Sequence, residues 1–146
     1  MVTREPISFL GGVDSKSGII IEKGHELEGV NIAGRVLVFR HGKGSTVGSY
    51  IIYPMAKMKT APVAIVNREA ETIITVGAVI AEIPLVDRLN KDPTQAIRTG
   101  DYVEVVGDKG LVRIHRRTEQ HSQQVSVKVL TISLRVLSPT LNDEDK

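Results

Sequence analysis

Val36-Leu37-Val38-Phe39-Arg40-His41-Gly42-Lys43-Gly44-Ser45-Thr46-Val47-Gly48-Ser49-Tyr50 joins an unbroken apolar run to a glycine-rich turn and then to a segment of helix formers. Four consecutive apolar residues, β-branched or aromatic at three positions, read as a strand buried on both faces. From Thr46 to Lys59, apolar Val47, Tyr50, Ile51, Met55 and Met58 recur at helical spacing. A strand, a glycine loop and a helix in that order gather free backbone N–H groups and the positive end of the helix dipole around one point. A negative charge is favoured there. Gly42 and Gly44 let the backbone turn through positive φ or approach a ligand closely. Ser45 and Thr46 suit an N-cap, and a hydroxyl held there is equally well placed for chemistry. Pro54 removes a backbone donor and crowds the preceding turn, which predicts a kinked or interrupted helix.

Outward from this unit the chain reads as mostly strand. Ile7 to Asp14 is expected to be a short strand running into a glycine turn, and Gly18 to Glu22 a second strand closed by a turn at Lys23-Gly24-His25. Pro62 to Val66 is a buried strand, Ile73 to Ala81 a strand or short helix, and Ile83 to Val86 a further strand. Gly100 to Ile114 alternates apolar and polar residues around Gly107-Asp108-Lys109-Gly110, the pattern of a hairpin. Asp14 and Asp87 follow apolar runs and read as capping or turn residues. One clear helix among many strands predicts a compact, β-rich α/β domain. From Arg116 to Gln124 the polar, aperiodic sequence reads as a linker, dividing residues 1–115 from an extension over 116–146. In that extension Val125, Val127 and Val129 alternate with polar residues, as an added strand or a partner-binding segment would, and the acidic end from Asn142 reads as disordered.

Composition narrows the function classes. A chain of 146 residues is one domain's worth, and a net charge of +2 is too small to argue for nucleic acid. Aromatic content of 3% leaves few platforms for base stacking. No apolar run approaches a membrane span and no signal-peptide core is visible, so the cytosol is the expected compartment. The absence of cysteine removes thiol nucleophiles and thiolate ligands for an iron–sulfur cluster. His25, His41, His115 and His121 lack metal-ligand spacing. Lys109, Arg113, Arg116 and Arg117 read as a solvated basic face.

The glycine loop fits neither of two well-known phosphate-binding patterns. A P-loop needs Ser or Thr directly after Gly-Lys and a glycine five residues before it, but Gly44 and Leu37 occupy those positions. A dinucleotide fingerprint would place its third glycine one residue before Gly48; Asn67-Arg68 after the next strand would then face a 2′-phosphate. A non-catalytic nucleotide-binding module is the reading left from that pattern. From the residues alone, the loop is either an anion-handling site or a structural corner capped by Ser45 or Thr46. Ser49 lies one helical turn after Ser45 and is the other serine for such a site.

Five ordered segments carry a resemblance to a known family: Ser8 to Asp14, Ile32 to Phe39, Gly42 to Tyr50, Ala61 to Ile65 and Ile83 to Leu89. Together they resemble the small subunit of the aconitase X family over residues 4 to 114. The resemblance implies a swivelling β/β/α domain and a hydro-lyase active only with a cysteine-bearing large subunit, as a heterodimer, in which that partner carries a 4Fe-4S cluster. It implies Ser45 as proton acceptor, with Lys43, Gly44 and Thr46 as donors to substrate and Lys43 also available to the subunit interface. The implied reaction is dehydration of (R)-5-phosphomevalonate to trans-anhydromevalonate 5-phosphate in archaeal isoprenoid synthesis. The alternative is cis-3-hydroxy-L-proline, the substrate of bacterial relatives. Pro54 departs from the family pattern, and the segment after Arg116 has no counterpart in it.

Overall fold

The computed structural model describes residues 1–44, 48–120 and 124–133, with side chains through Arg116. Its centre is the apolar run 36–39. This forms β3 (Val36–Phe39), which pairs in parallel with β4 (Ala64–Asn67), itself parallel to β5 (Leu85–Val86). Successive side chains of a strand point to opposite faces. Leu37, Phe39 and Ile65 accordingly pack with Ile52, Met55, Ile74 and Ala78 of the two long helices, α2 (Gly48–Lys57) and α3 (Thr72–Ala81). Val38, Val66 and Val86 point the other way, into a second cluster with Val112 and Ile114. That cluster covers an antiparallel sheet of β6 (Tyr102–Val106), β7 (Leu111–Gln120) and β8 (Gln124–Ser133). Helices, parallel sheet and antiparallel sheet thus stack in three layers, the expected β/β/α arrangement. A short ribbon of β1 (Val13–Asp14) and β2 (Ile19–Ile20) lies before them in the chain. No helix among the described residues is long and apolar enough to cross a membrane.

The hairpin expected over 100–114 is present, with Tyr102 opposite His115 and Val106 opposite Leu111. Asp14 forms the expected turn, accepting from Lys16 N at 3.1 Å and Ser17 Oγ at 2.8 Å. Asp87 does more than cap locally, since its Oδ2 accepts from Ala70 N at 2.9 Å across the β4–α3 connection.

One local expectation is corrected and open alternatives are resolved. Residues 9–12 form a single turn, α1 (Phe9–Gly12), with extended Leu10 and Gly11 at φ +87°, instead of a strand. The stretch 72–81 is helix despite its β-branched content, because the Glu71 carboxylate caps its first turn by accepting from Ile73 N at 2.9 Å and Ile74 N at 2.8 Å. α2 continues through Pro54 to Lys57. Pro54 and Tyr50 both lie on the exposed side of the helix, where losing one backbone donor is least costly. Both helices end in Schellman geometry on a non-glycine residue: Lys59 at φ 61° with Thr60 N on Met55 O, and Glu82 at φ 58° with Ile83 N on Ala78 O. A fourth helix, α4 (Pro93–Ala96), starts on Asp92, whose side chain accepts from Thr94 N at 3.0 Å.

The polar run from Arg116 is not a linker where it is described. Residues 116–120 continue β7 and pair with 124–128 of β8, while residues 121–123 and the acidic end lie outside the described residues. The alternating valines therefore belong to an added strand. Arg116 is not part of a solvated face either. Its Nε and Nη2 meet the Asp101 carboxylate at 3.1 and 2.7 Å, and Nη2 also donates to Ala96 O at 2.8 Å. The two side chains are 15% and 7% exposed, so the pair is largely desolvated. Burial opposes the charged form of Asp101, but the bonds from Arg116 and from Arg98 N outweigh it and hold this carboxyl below the usual range.

Two outcomes follow. Gly77 lies where α3 crosses α2, and a Cβ there would stand 2.7 Å from Ile52 Cδ1 and 3.2 Å from Ser49 O. Gly77→Ala is expected to lower stability by roughly 1–3 kcal/mol in urea unfolding, despite the better helix propensity of alanine. Because the folded pKa of Asp101 is depressed, its contribution is present above the unfolded carboxyl pKa and is lost as pH falls through the folded value. Asp101→Asn should lower stability at neutral pH and flatten the loss below about pH 4 in acid titrations followed by circular dichroism.

Candidate active site at the glycine loop

The loop leaves the carboxyl end of β3, and its base is fastened from two sides. Arg68 N donates to Phe39 O and Arg40 O at 3.3 and 3.2 Å, and Glu69 N to Arg40 O at 3.3 Å. Asn67, fully buried, adds an Nδ2 bond to Phe39 O at 3.2 Å. Reversing that amide would set two carbonyl oxygens against each other, so the orientation is fixed even though Asn67 Oδ1 has no hydrogen-bond partner among the described residues. On the other side Ile7 pairs with Gly42: Ile7 N donates to His41 O at 3.2 Å and Lys43 N to Ile7 O at 3.0 Å.

The two loop glycines are required for different reasons. Gly42 is buried, and a Cβ on it would lie 2.3 Å from Ile74 Cγ1 and 2.6 Å from Glu71 Oε1. Only a glycine lets the loop pass this close to the capped start of α3. Gly44 has φ +100°, and a Cβ there would also meet Ser8 Oγ at 2.7 Å. The Ser8–Gly12 turn therefore forms a neighbouring wall, with Ser8 Oγ donating to Leu10 O at 2.9 Å. Lys43 reaches out to Glu22 just beyond β2, Nζ to Oε2 at 2.8 Å, and both side chains are partly exposed.

Of the residues singled out in the sequence, Lys43 and Gly44 are thus placed together at the loop. Ser45 and Thr46 lie outside the described residues. Ser49 is buried where α2 meets α3, within reach of Gly77. His41 turns its Nδ1 onto Gly42 O at 2.8 Å, a bond within the turn. Asn67 and Arg68 do not converge on one ligand, because the amide serves Phe39 O while the guanidinium lies 3.9 Å from Asp92. His25 is a buried structural histidine: its Nδ1 accepts from Leu27 N, which leaves Nε2 to donate to Pro6 O, each at 3.0 Å.

Residues 1–114 match the aconitase X swivel domain. The chain belongs to that family. A relative in Methanosarcina acetivorans, described as a phosphomevalonate dehydratase small subunit, is 54% identical over 114 residues, covering 78% of this chain and 79% of its own. The crystal structure of Thermococcus kodakaraensis aconitase X in its holo-form superposes with a TM-score of 0.70 at 42% identity, covering 88% of this chain and 86% of that one. The solution structure of a UPF0107 protein gives 0.71 at 51% identity over 78% and 86%. The aconitase X swivel fold is therefore the fold of this chain, and the resemblance carried by the five sequence segments holds.

Sequence reading missed two acidic residues of this swivel domain's loop region. Glu71 carried a usable signal, an acid directly before an apolar run of helical length. Glu22 carried none, since nothing in the sequence brings residue 22 to residue 43. Glu71→Ala is expected to cost roughly 0.5–2 kcal/mol of stability through the lost cap. Gly42→Ala should cost at least as much by displacing the same cap, and comparing the two thermal unfolding curves checks both.

Proposed function

We propose that this aconitase X swivel domain is the small subunit of a two-chain dehydratase acting on (R)-5-phosphomevalonate, with Ser45 as the proton acceptor. Identity of 54% to a phosphomevalonate dehydratase small subunit over most of both chains carries this reading. In the reaction the proton next to the substrate carboxylate passes to the Ser45 oxygen. The C–H electron pair becomes the new double bond as the hydroxyl leaves the adjacent carbon with the C–O pair, and the proton taken up by Ser45 returns to it so that water is released and the base restored. A serine hydroxyl performs this only if its alkoxide is stabilised, and backbone donors of a glycine loop ahead of α2 suit that task. Gly44, Thr46 and Lys43 would orient the substrate, whose carboxylate the same positive field favours.

Aconitase-like proteins use iron–sulfur chemistry, and this chain has no thiolate to hold a cluster. It contains no cysteine, and no group of three or more metal-binding side chains is present among the described residues. The cluster would accordingly sit on a cysteine-bearing large subunit, with the active site completed between the chains in the cytosol.

The deciding experiment is an anaerobic dehydration assay of this chain co-purified with its large subunit. Activity on (R)-5-phosphomevalonate should require both chains. Ser45→Ala should lower kcat by about 10²–10⁴-fold without preventing assembly, as judged by size-exclusion chromatography. Full activity in the Ser45→Ala complex would remove the base assignment, and activity on cis-3-hydroxy-L-proline alone would replace the substrate.

A further inference from the structure

Three contacts between segments distant in sequence close a ring beside the glycine loop. Gly44 passes against Ser8 Oγ. Gly12, at the end of the same turn, leaves room for Glu22, whose Oε1 would stand 3.2 Å from a Cβ at that position. Glu22 Oε2 then meets Lys43 Nζ at 2.8 Å. The backbone reinforces the ring, since Ile21 N and Glu22 N both donate to Gly12 O, at 2.9 and 3.3 Å. Glu22 is therefore held by its main chain, and from that anchored position its carboxylate reaches Lys43.

We infer that Glu22 is a positioning residue which holds the Lys43 ammonium at the rim of the loop to receive an anionic group of the substrate. This rests on the dehydratase reading above. A lysine side chain loses much rotamer entropy when its head group is ordered, and an ammonium already held in place loses less of it when a ligand binds. The side chains of Lys43 and Glu22 are 43% and 29% exposed. An ion pair of that exposure contributes little to fold stability, so its consequence is where the charge stands. Among the described residues the pair takes up one of the ammonium's three donors. Carboxylate and phosphate groups both suit those donors, and the two candidate substrates separate them, because hydroxyproline has a carboxylate and no phosphate.

The test is a set of variants in the assembled two-chain enzyme, with the wild-type complex assayed on both substrates. Glu22→Ala should raise KM about 3–5-fold with kcat within about twofold, the range an exposed pair supports. Glu22→Gln keeps an acceptor oxygen at the same reach and should restore KM. In a Lys43→Met background, Glu22→Ala should have no further effect. An unchanged KM in Glu22→Ala, or an effect that persists without Lys43, overturns the assignment while leaving the dehydratase reading intact. A wild-type complex that dehydrates neither substrate overturns both. A KM effect on (R)-5-phosphomevalonate supports the assignment in either case; its disappearance with cis-3-hydroxy-L-proline in a complex that turns over both acids identifies phosphate as the group received.

Discussion

The burial of both faces of the three-stranded parallel sheet is the constraint on which the rest depends. A parallel sheet has no solvated face to spare, so β3, β4 and β5 need cover above and below. Alternating side chains divide that task, Leu37, Phe39 and Ile65 toward the helices and Val38, Val66 and Val86 toward β7. Parallel pairing also forces each connection to cross over, which places α2 between β3 and β4 and α3 between β4 and β5. The glycine loop is the first of these crossovers. Its position at the carboxyl end of β3 follows from the sheet, the edge where ligands of open α/β sheets are commonly received.

Much of this could be read from the residues because it is local. Val36 to Phe39 and Pro62 to Val66 are apolar without interruption, and only a doubly buried strand needs that. The 100–114 hairpin carries its own turn chemistry. What could not be read depends on partners far along the chain. Arg116 looks like any basic residue in a polar run until Asp101 and Ala96 O are brought to it. The strand identity of residues 116–120 comes from pairing with β8, whose apolar alternation was visible while its register was not. The segment 72–81 was ambiguous because β-branched residues favour strands, and a single capping carboxylate from outside the run decided for helix.

The site divides in the same way. The glycine pattern and the following hydroxyls marked the loop, but the distinct requirements of its glycines come from neighbours. Gly44 answers a backbone angle that any turn rule anticipates. Gly42 has no unusual angle and is needed only for space beside Ile74 and Glu71. Glu22 belongs with Gly42: its role exists only once the Ser8–Gly12 turn has brought the β2 exit against the loop.

The cap on α3 has an electrostatic consequence for the loop it adjoins. Two helices begin near Gly42, and both would ordinarily attract anions at their amino ends. Glu71 fills that end of α3 with the chain's own carboxylate, bonded to two amides. On the proposed function, an anionic substrate would therefore meet a terminus already neutralised at α3, and on the α2 side of the loop a Lys43 ammonium held by Glu22. Such a lopsided field would sort the substrate's orientation before any contact forms.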